Sequence, residues 1–249
     1  MKKILSLTTF LLLTQSSMAF EAGQLSLDTP NVLKKNEGSS TIRHRFFGEI
    51  GDEQTFFGTD DGGNMHLSLK YALADNLVVG VDHTRDESAY GIGVEYAHDF
   101  EWIKAGARVN GFRLHNAKFE KAQKSYMVNG SLQTPNYFDH LILTGNLGYD
   151  AFYEHQIAGL GADLNVNNFI PYLTFTTNIS LLAEWYPQID KVEGVSGKHS
   201  SYAYGLKFQT YGHHFELVAT NASSMDARTM SLGTNSEDMH LGFNINRKF

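Results

Sequence analysis

Met239–Phe249 reads MHLGFNINRKF. Every second residue gives Met239, Leu241, Phe243, Ile245, Arg247 and Phe249, with His240, Gly242, Asn244, Asn246 and Lys248 between them. The first set is apolar apart from Arg247 and the second is polar. Successive side chains of a β-strand point to opposite faces, so this stretch is a strand with one apolar and one polar face.

The same alternation runs upstream. Met65, Leu67, Leu69 and Tyr71 alternate with Asn64, His66, Ser68 and Lys70. Tyr90, Ile92, Val94 and Tyr96 alternate with Gly91, Gly93, Glu95 and Ala97, and Tyr202, Tyr204, Leu206 and Phe208 with Ala203, Gly205, Lys207 and Gln209. Ile179, Leu181, Ala183 and Trp185 oppose a face that includes Glu184. Strands are expected at 41–50, 63–72, 76–85, 88–98, 102–113, 123–133, 137–149, 153–164, 177–187, 200–210, 213–221 and 238–248. Most reach the roughly 9–11 residues that a tilted strand needs to cross a bilayer. Pro171 interrupts 165–176, so ten or fourteen strands stay open beside twelve. Aromatic residues gather at the ends of the stripes, where a membrane interface would lie. A soluble β-sandwich also alternates, but its apolar face points inward and its strands run to about 5–6 residues. The expected fold is all-β: a transmembrane, antiparallel, up-and-down β-barrel of about 12 strands.

The junctions support that topology. With a periplasmic N-terminus, Ala74-Asp75, Asp99-Phe100, Pro135-Asn136 and Tyr211-Gly212 become tight periplasmic turns. The opposite junctions, Gly51–Gly62, Leu114–Ala122, Gln188–His199 and Ala222–Glu237, are mostly long and polar. Short periplasmic turns with longer outer loops are the habit of outer-membrane barrels. Segment 165–176 is the exception, being long on the periplasmic side.

Export is written at the start. Lys2 and Lys3 precede an apolar run from Ile4 to Leu13, and Ser17-Met18-Ala19 places small residues where a signal peptidase reads them. Residues 1–19 are read as a cleaved signal peptide, 20–40 as a periplasmic N-terminal segment and 41–249 as the barrel, in the outer membrane of a Gram-negative cell. Removing 1–19 takes away Lys2 and Lys3 and no acid, leaving 18 basic against 27 acidic side chains, a formal charge of −9. That balance argues against a nucleic-acid partner. The sequence has no cysteine, which excludes disulfides and thiolate chemistry. No stretch after the signal has the run of about 18 apolar residues that a spanning helix needs. A mean hydropathy of −0.28 suits a barrel whose strands are half polar.

The residues also resemble a family. His44-Arg45-Phe46-Phe47-Gly48, Phe56-Phe57-Gly58-Thr59-Asp60, Leu67-Ser68-Leu69-Lys70-Tyr71 and Asp75-Asn76-Leu77-Val78-Val79-Gly80 are similar to the opening blocks of a family of bacterial outer-membrane β-barrel proteins of unknown function. Leu182-Ala183-Glu184-Trp185-Tyr186-Pro187 and Gly242-Phe243-Asn244-Ile245-Asn246-Arg247 resemble its later blocks. The resemblance implies the barrel and its location, and no activity. The closing Phe249 resembles the general aromatic signal read by barrel-assembly machinery, so that machinery and outer-membrane lipid are the partners it implies.

Projecting the strands inward puts Arg43, Arg45, Glu49, Lys70, Asp82, Glu95, Lys104, Arg108, Asp163, Glu184, Lys207, Glu216 and Lys248 on the lumen. A charge in a confined interior must be hydrated or paired. Two interiors satisfy that: an ion-paired network filling a narrow barrel, and a hydrated pore passing small solutes. About 8 strands enclose a filled interior and 16–18 an aqueous channel, so the strand number leaves both open. The functional reading is a narrow passive pore or a structural membrane protein. A closed surface-interaction barrel and an outer-membrane hydrolase are its rivals.

Other motifs are read as structural. Asp60-Asp61-Gly62-Gly63-Asn64 lacks the ligand spacing of a calcium loop and reads as a turn. Gly91-Ile92-Gly93 and Gly159-Leu160-Gly161 lie inside strands and read as packing or bending positions of the wall rather than as dinucleotide loops. His213-His214 falls at a turn without a third ligand. A lipase-type hydrolase would need a serine beside His44, His83 or His98, and the sequence pairs none with them. No catalytic residue, metal or cofactor is assigned.

Overall fold

The computed structural model describes residues 24–30, 33–86, 88–115, 121–137, 140–167, 178–210 and 212–249. The expected signal peptide and most of the interrupted segment at 165–176 lie outside the described residues. Twelve strands follow in chain order: β1 (Gly38–Glu49), β2 (Gly63–Ala74), β3 (Leu77–Thr84), β4 (Ala89–Asp99), β5 (Lys104–Leu114), β6 (Gln123–Gln133), β7 (Leu141–Asp150), β8 (His155–Asn165), β9 (Asn178–Tyr186), β10 (Ser201–Thr210), β11 (His213–Thr220) and β12 (His240–Lys248). Each pairs antiparallel with its neighbours in sequence, and β1 pairs with β12, closing the sheet on itself. Closure leaves no unpaired edge. A 3-10 turn at Thr59–Asp61 and a single helical turn, α1 (Ala227–Met230), are the helical elements among the described residues.

Three of the boundaries that differ from expectation have a physical reason in the turns beside them. β1 starts at Gly38 because Gly38 and Phe249 exchange both main-chain hydrogen bonds, 2.8 and 2.9 Å, across the closing seam. β7 starts at Leu141 because Tyr137 folds back onto Leu141 in a tight bridge after Pro135, which has no N–H to offer a ladder. β8 starts at His155 because 151–154 form a turn whose last residue, Glu154, has φ 55°.

The wall is inverted relative to a soluble core. Ile92, Leu132, Leu147, Leu160 and Leu217 are exposed on its outer face. Tyr90, Tyr96, Trp102, Tyr126 and Trp185 stand there too, near strand ends. Polar side chains such as Asn129, Asn146, Glu184, Glu216 and Asn244 are buried inside. In water that arrangement would leave a wide apolar belt uncovered, whereas lipid covers it at no cost.

One rim carries tight connections at Asp75-Asn76 and 100–103, and the other carries the long ones at 50–62, 187–200 and 221–239 beside short ones at 85–88 and 151–154. The junction at 115–122 falls largely outside the described residues.

Candidate functional site: the barrel lumen

The chain fills its own barrel. Part of the expected periplasmic segment, 20–40, lies inside the barrel: Gln24, Leu25, Ser26, Leu27 and Thr29 are all buried within it. The main chain of this strap is met by wall side chains. Ser26 N donates to both Glu184 oxygens at 3.0 and 2.9 Å, and Leu27 N to Oε1 at 3.2 Å. Leu25 O accepts from Arg45 at 3.2 Å and from Asn244 at 2.8 Å. The Asn146 amide brackets Asp28, accepting from its N–H at 2.9 Å and donating to its carbonyl at 2.7 Å. A buried segment outside any ladder needs such partners, because each unmet N–H or C=O costs about as much as a lost hydrogen bond.

Its apolar side chains have places too. Leu25 packs with Leu182, Ala203 and Val218, and Leu27 joins a cluster with Phe112, Ile157, Tyr186 and Met230. Glycines make the room. A Cβ on Gly161 would lie 2.6 Å from Leu27 Cδ1, and one on Gly205 2.6 Å from Leu25 Cδ2. Gly159 is just as close to Leu27. The glycine pair in β8 is therefore a packing feature whose partner is the strap.

The charged residues expected on the lumen sort as follows. Arg108 holds Asp28 of the strap at 3.2 Å and Asp82 of β3 at 3.1 Å. Lys70 pairs with Glu95 at 3.0 Å, and Lys207 with Asp163. Arg45 is wholly buried and bonds Asn244 at 2.8 Å as well as the strap. Glu184 spends its carboxylate on strap amides and on the Tyr186 hydroxyl, 2.8 Å away. Glu216 accepts from Asn244 and Asn246. Arg43 donates to Met225 O at 2.7 Å. Lys104 is half-buried at the first position of β5. Lys248 pairs with Glu37 at 2.9 Å. Glu49 is the correction: the ladder to β12 shifts register between Arg45 and Glu49, which lifts Glu49 to the rim, exposed.

The far half is closed by the long β11–β12 connection, expected as a long, polar outer loop. It tucks inward instead, burying Ala222, Met225, Ala227, Arg228, Met230 and Leu232. Asp226 caps α1, accepting from Thr229 N at 2.9 Å. Burial raises the Asp226 carboxyl, but Arg228, the Thr229 N–H and His66 outweigh it and hold it below its ordinary value. Arg228 lies over the Phe112 ring at 4.9 Å, its carbonyl meets His155 at 3.0 Å, and Ser231 bridges to Ala158. Met230 and Ala227 seat in the same apolar cluster as Leu27.

Two cavities lie among the described lumen residues. A cavity of about 40 Å³ between the strap and the β11–β12 connection is lined by Asp28, Arg43, His66, Asp82, Arg108 and Asp226, among others. A polar pocket of about 190 Å³ lies towards the long loops, beside Asn64, Asp86 and Asp226. A water needs roughly 10–15 Å³ measured this way, so the inner cavity holds a few waters and no solute of sugar size.

A family model described as a membrane-bound β-barrel domain matches residues 20–147 and 161–249. The chain belongs to that family, DUF5777. No curated protein matches it. Among solved structures this DUF5777 barrel is similar to the KdgM porin, with a TM-score of 0.52 and 10% identity over 85% of this chain and 99% of that one. The outer membrane protein Omp33 of Acinetobacter baumannii scores 0.47 at 9% identity, covering 86% and 99% of the two chains. Outer membrane phospholipase A from Escherichia coli scores 0.44 at 10% identity, covering 87% and 91%. These likenesses concern the fold.

The remaining motifs of the DUF5777 barrel are placed as follows. Asp60 and Asp61 end the 3-10 turn, where Asp60 accepts from Phe56 N at 3.1 Å. His213 and His214 open β11 and point to opposite faces, His213 stacking on Phe215 and His214 buried. His44 stacks on Phe243, His83 bonds Ala89 O and stacks on Tyr90, and His98 pairs with Asn76. Phe249 leaves its ring exposed and its main chain paired to Gly38.

Proposed function

We propose that this protein is an outer-membrane barrel held closed by its own chain: a narrow pore in its resting state, passing water and small ions at most, with no catalytic role. The observation that carries the reading is Gln24–Pro30 inside the wall, its main chain met by Glu184, Arg45, Asn146 and Asn244. Twelve strands enclose limited space, and long paired side chains fill it further. Outer-membrane lipid covers the wall in this reading, and barrel-assembly machinery reads Phe249.

A structural barrel without transport is the second reading. It is favoured by the apolar cluster of Phe112, Met127, Ile157 and Met230, which fills the long-loop half as the core of a soluble protein would. Planar-bilayer recordings separate the two. The wild-type protein is expected to conduct negligibly, and a variant lacking 24–30 to show steady single-channel currents at least tenfold larger. Silence from a folded deletion variant would favour the structural reading. A wild-type current of general-porin size would refute closure altogether.

A further inference from the structure

We propose that the lumen is a recognition site for a short bent peptide segment bearing two leucines two residues apart followed by a carboxylate, with Gln24–Pro30 as its resident occupant. A segment that merely filled space would need apolar contact alone. Here the wall reads main chain and side chains separately.

The main chain is read at three successive stations. Leu25 O receives two donors, Arg45 and Asn244. Ser26 N and Leu27 N share one carboxylate, Glu184. The Asn146 amide engages both the N–H and the C=O of Asp28, as a neighbouring strand would. These contacts recognise a bent backbone of any sequence, with two consecutive N–H groups turned to one carboxylate as in an anion-binding nest.

The side chains set the sequence. Leu25 enters the space left by Gly205, and Leu27 the space left by Gly159 and Gly161. Asp28 receives Arg108 on one oxygen at 3.2 Å and Asn129 on the other at 2.8 Å. The two leucine subsites disfavour charge, because apolar side chains pack around them. The carboxylate subsite rejects apolar side chains, because Arg108 would lose one of its two counter-ions. The stations lie on β1, β5, β6, β7, β8, β9, β10 and β12, so the closed wall is needed to assemble them.

The strap joins the wall through Lys34, Lys35 and Asn36, which are exposed and can be cut. That makes the site testable in the full-length protein. A specific protease site inserted between Lys35 and Asn36 would be cleaved after folding in detergent. The released fragment is expected to stay with the barrel through gel filtration. Overnight incubation with a hundredfold excess of a fluorescent peptide of sequence QLSLDTPNVL should then load the cut barrels. The same peptide with both leucine positions changed to aspartate should load them at least tenfold less. Uptake of neither peptide, or of both alike, would overturn the proposal, as would immediate loss of the fragment on cutting. The idea rests on the self-closed lumen, but the test uses no conductance, so the two can fail separately.

Discussion

At the scale of the residue, Glu184 shows what an alternation can and cannot disclose. Its place on the polar phase of 177–187 is evident from Leu181, Ala183 and Trp185 on the other phase. Its partners are not evident, because they are backbone N–H groups of Ser26 and Leu27, which every residue but proline carries. An inward carboxylate suggests a cation, yet this one is met mainly by amides and a tyrosine hydroxyl. Glu184→Ala should leave those donors unmet in a buried place, at about 1–3 kcal/mol each, until the strap lets go. We expect a loss of about 3 kcal/mol in guanidinium unfolding of the detergent-solubilised barrel, and a smaller loss for Glu184→Gln, which keeps an acceptor. An unchanged midpoint for the alanine variant would mean that the strap amides lie elsewhere. Glu49 teaches the converse. Its phase was right for the lumen, but a local register shift, which no hydropathy pattern encodes, carries it to the rim.

At the scale of the element, the strands were legible because lipid outside and polar groups inside impose the same two-residue period on all of them. β6 runs from Gln123 to Gln133, as the pattern indicates, and most other ends fall within a few residues. The two insertions were not legible. Gln24–Pro30 is too short and too irregular for a periodic signal, and the β11–β12 connection is polar enough to pass for a solvated loop. A trace existed in β8, where Gly159 and Gly161 occupy successive inward positions. Inward glycines in a strand are costly unless something approaches closely. That trace yields a prediction of sign. Gly159→Val should overpack against Leu27 and destabilise the barrel by about 1–3 kcal/mol. Combined with Leu27→Ala it should cost clearly less than the sum of the two single changes, since neighbours in contact couple. Strict additivity in denaturant melts would place Leu27 away from Gly159.

At the scale of the whole molecule, the barrel is a membrane wall wrapped around an interior made by two distant parts of the chain. The strap meets β1 and β12 together through Arg45 and Asn244, so it spans the seam where the first and last strands close. The cap, from Ala222 to Leu232, closes the other half and shares one apolar cluster with Leu27 of the strap through Met230 and Ala227. Residues far apart in sequence thus share one interior, which is why closure could be weighed but not decided from composition or strand number. The claim that matters most is that the strap lies inside the wall. Because the chain has no cysteine of its own, a pair introduced by Leu25→Cys and Gly205→Cys gives a clean measurement. The Leu25 side chain reaches Gly205, its Cδ2 2.6 Å from where a Cβ would stand, so the two introduced side chains face each other. Under mild oxidation of the folded protein, near-complete cross-linking is expected, read by mass spectrometry and as loss of maleimide labelling. Two free thiols, both labelled at the rate of exposed cysteines in a correctly folded barrel, would contradict that claim.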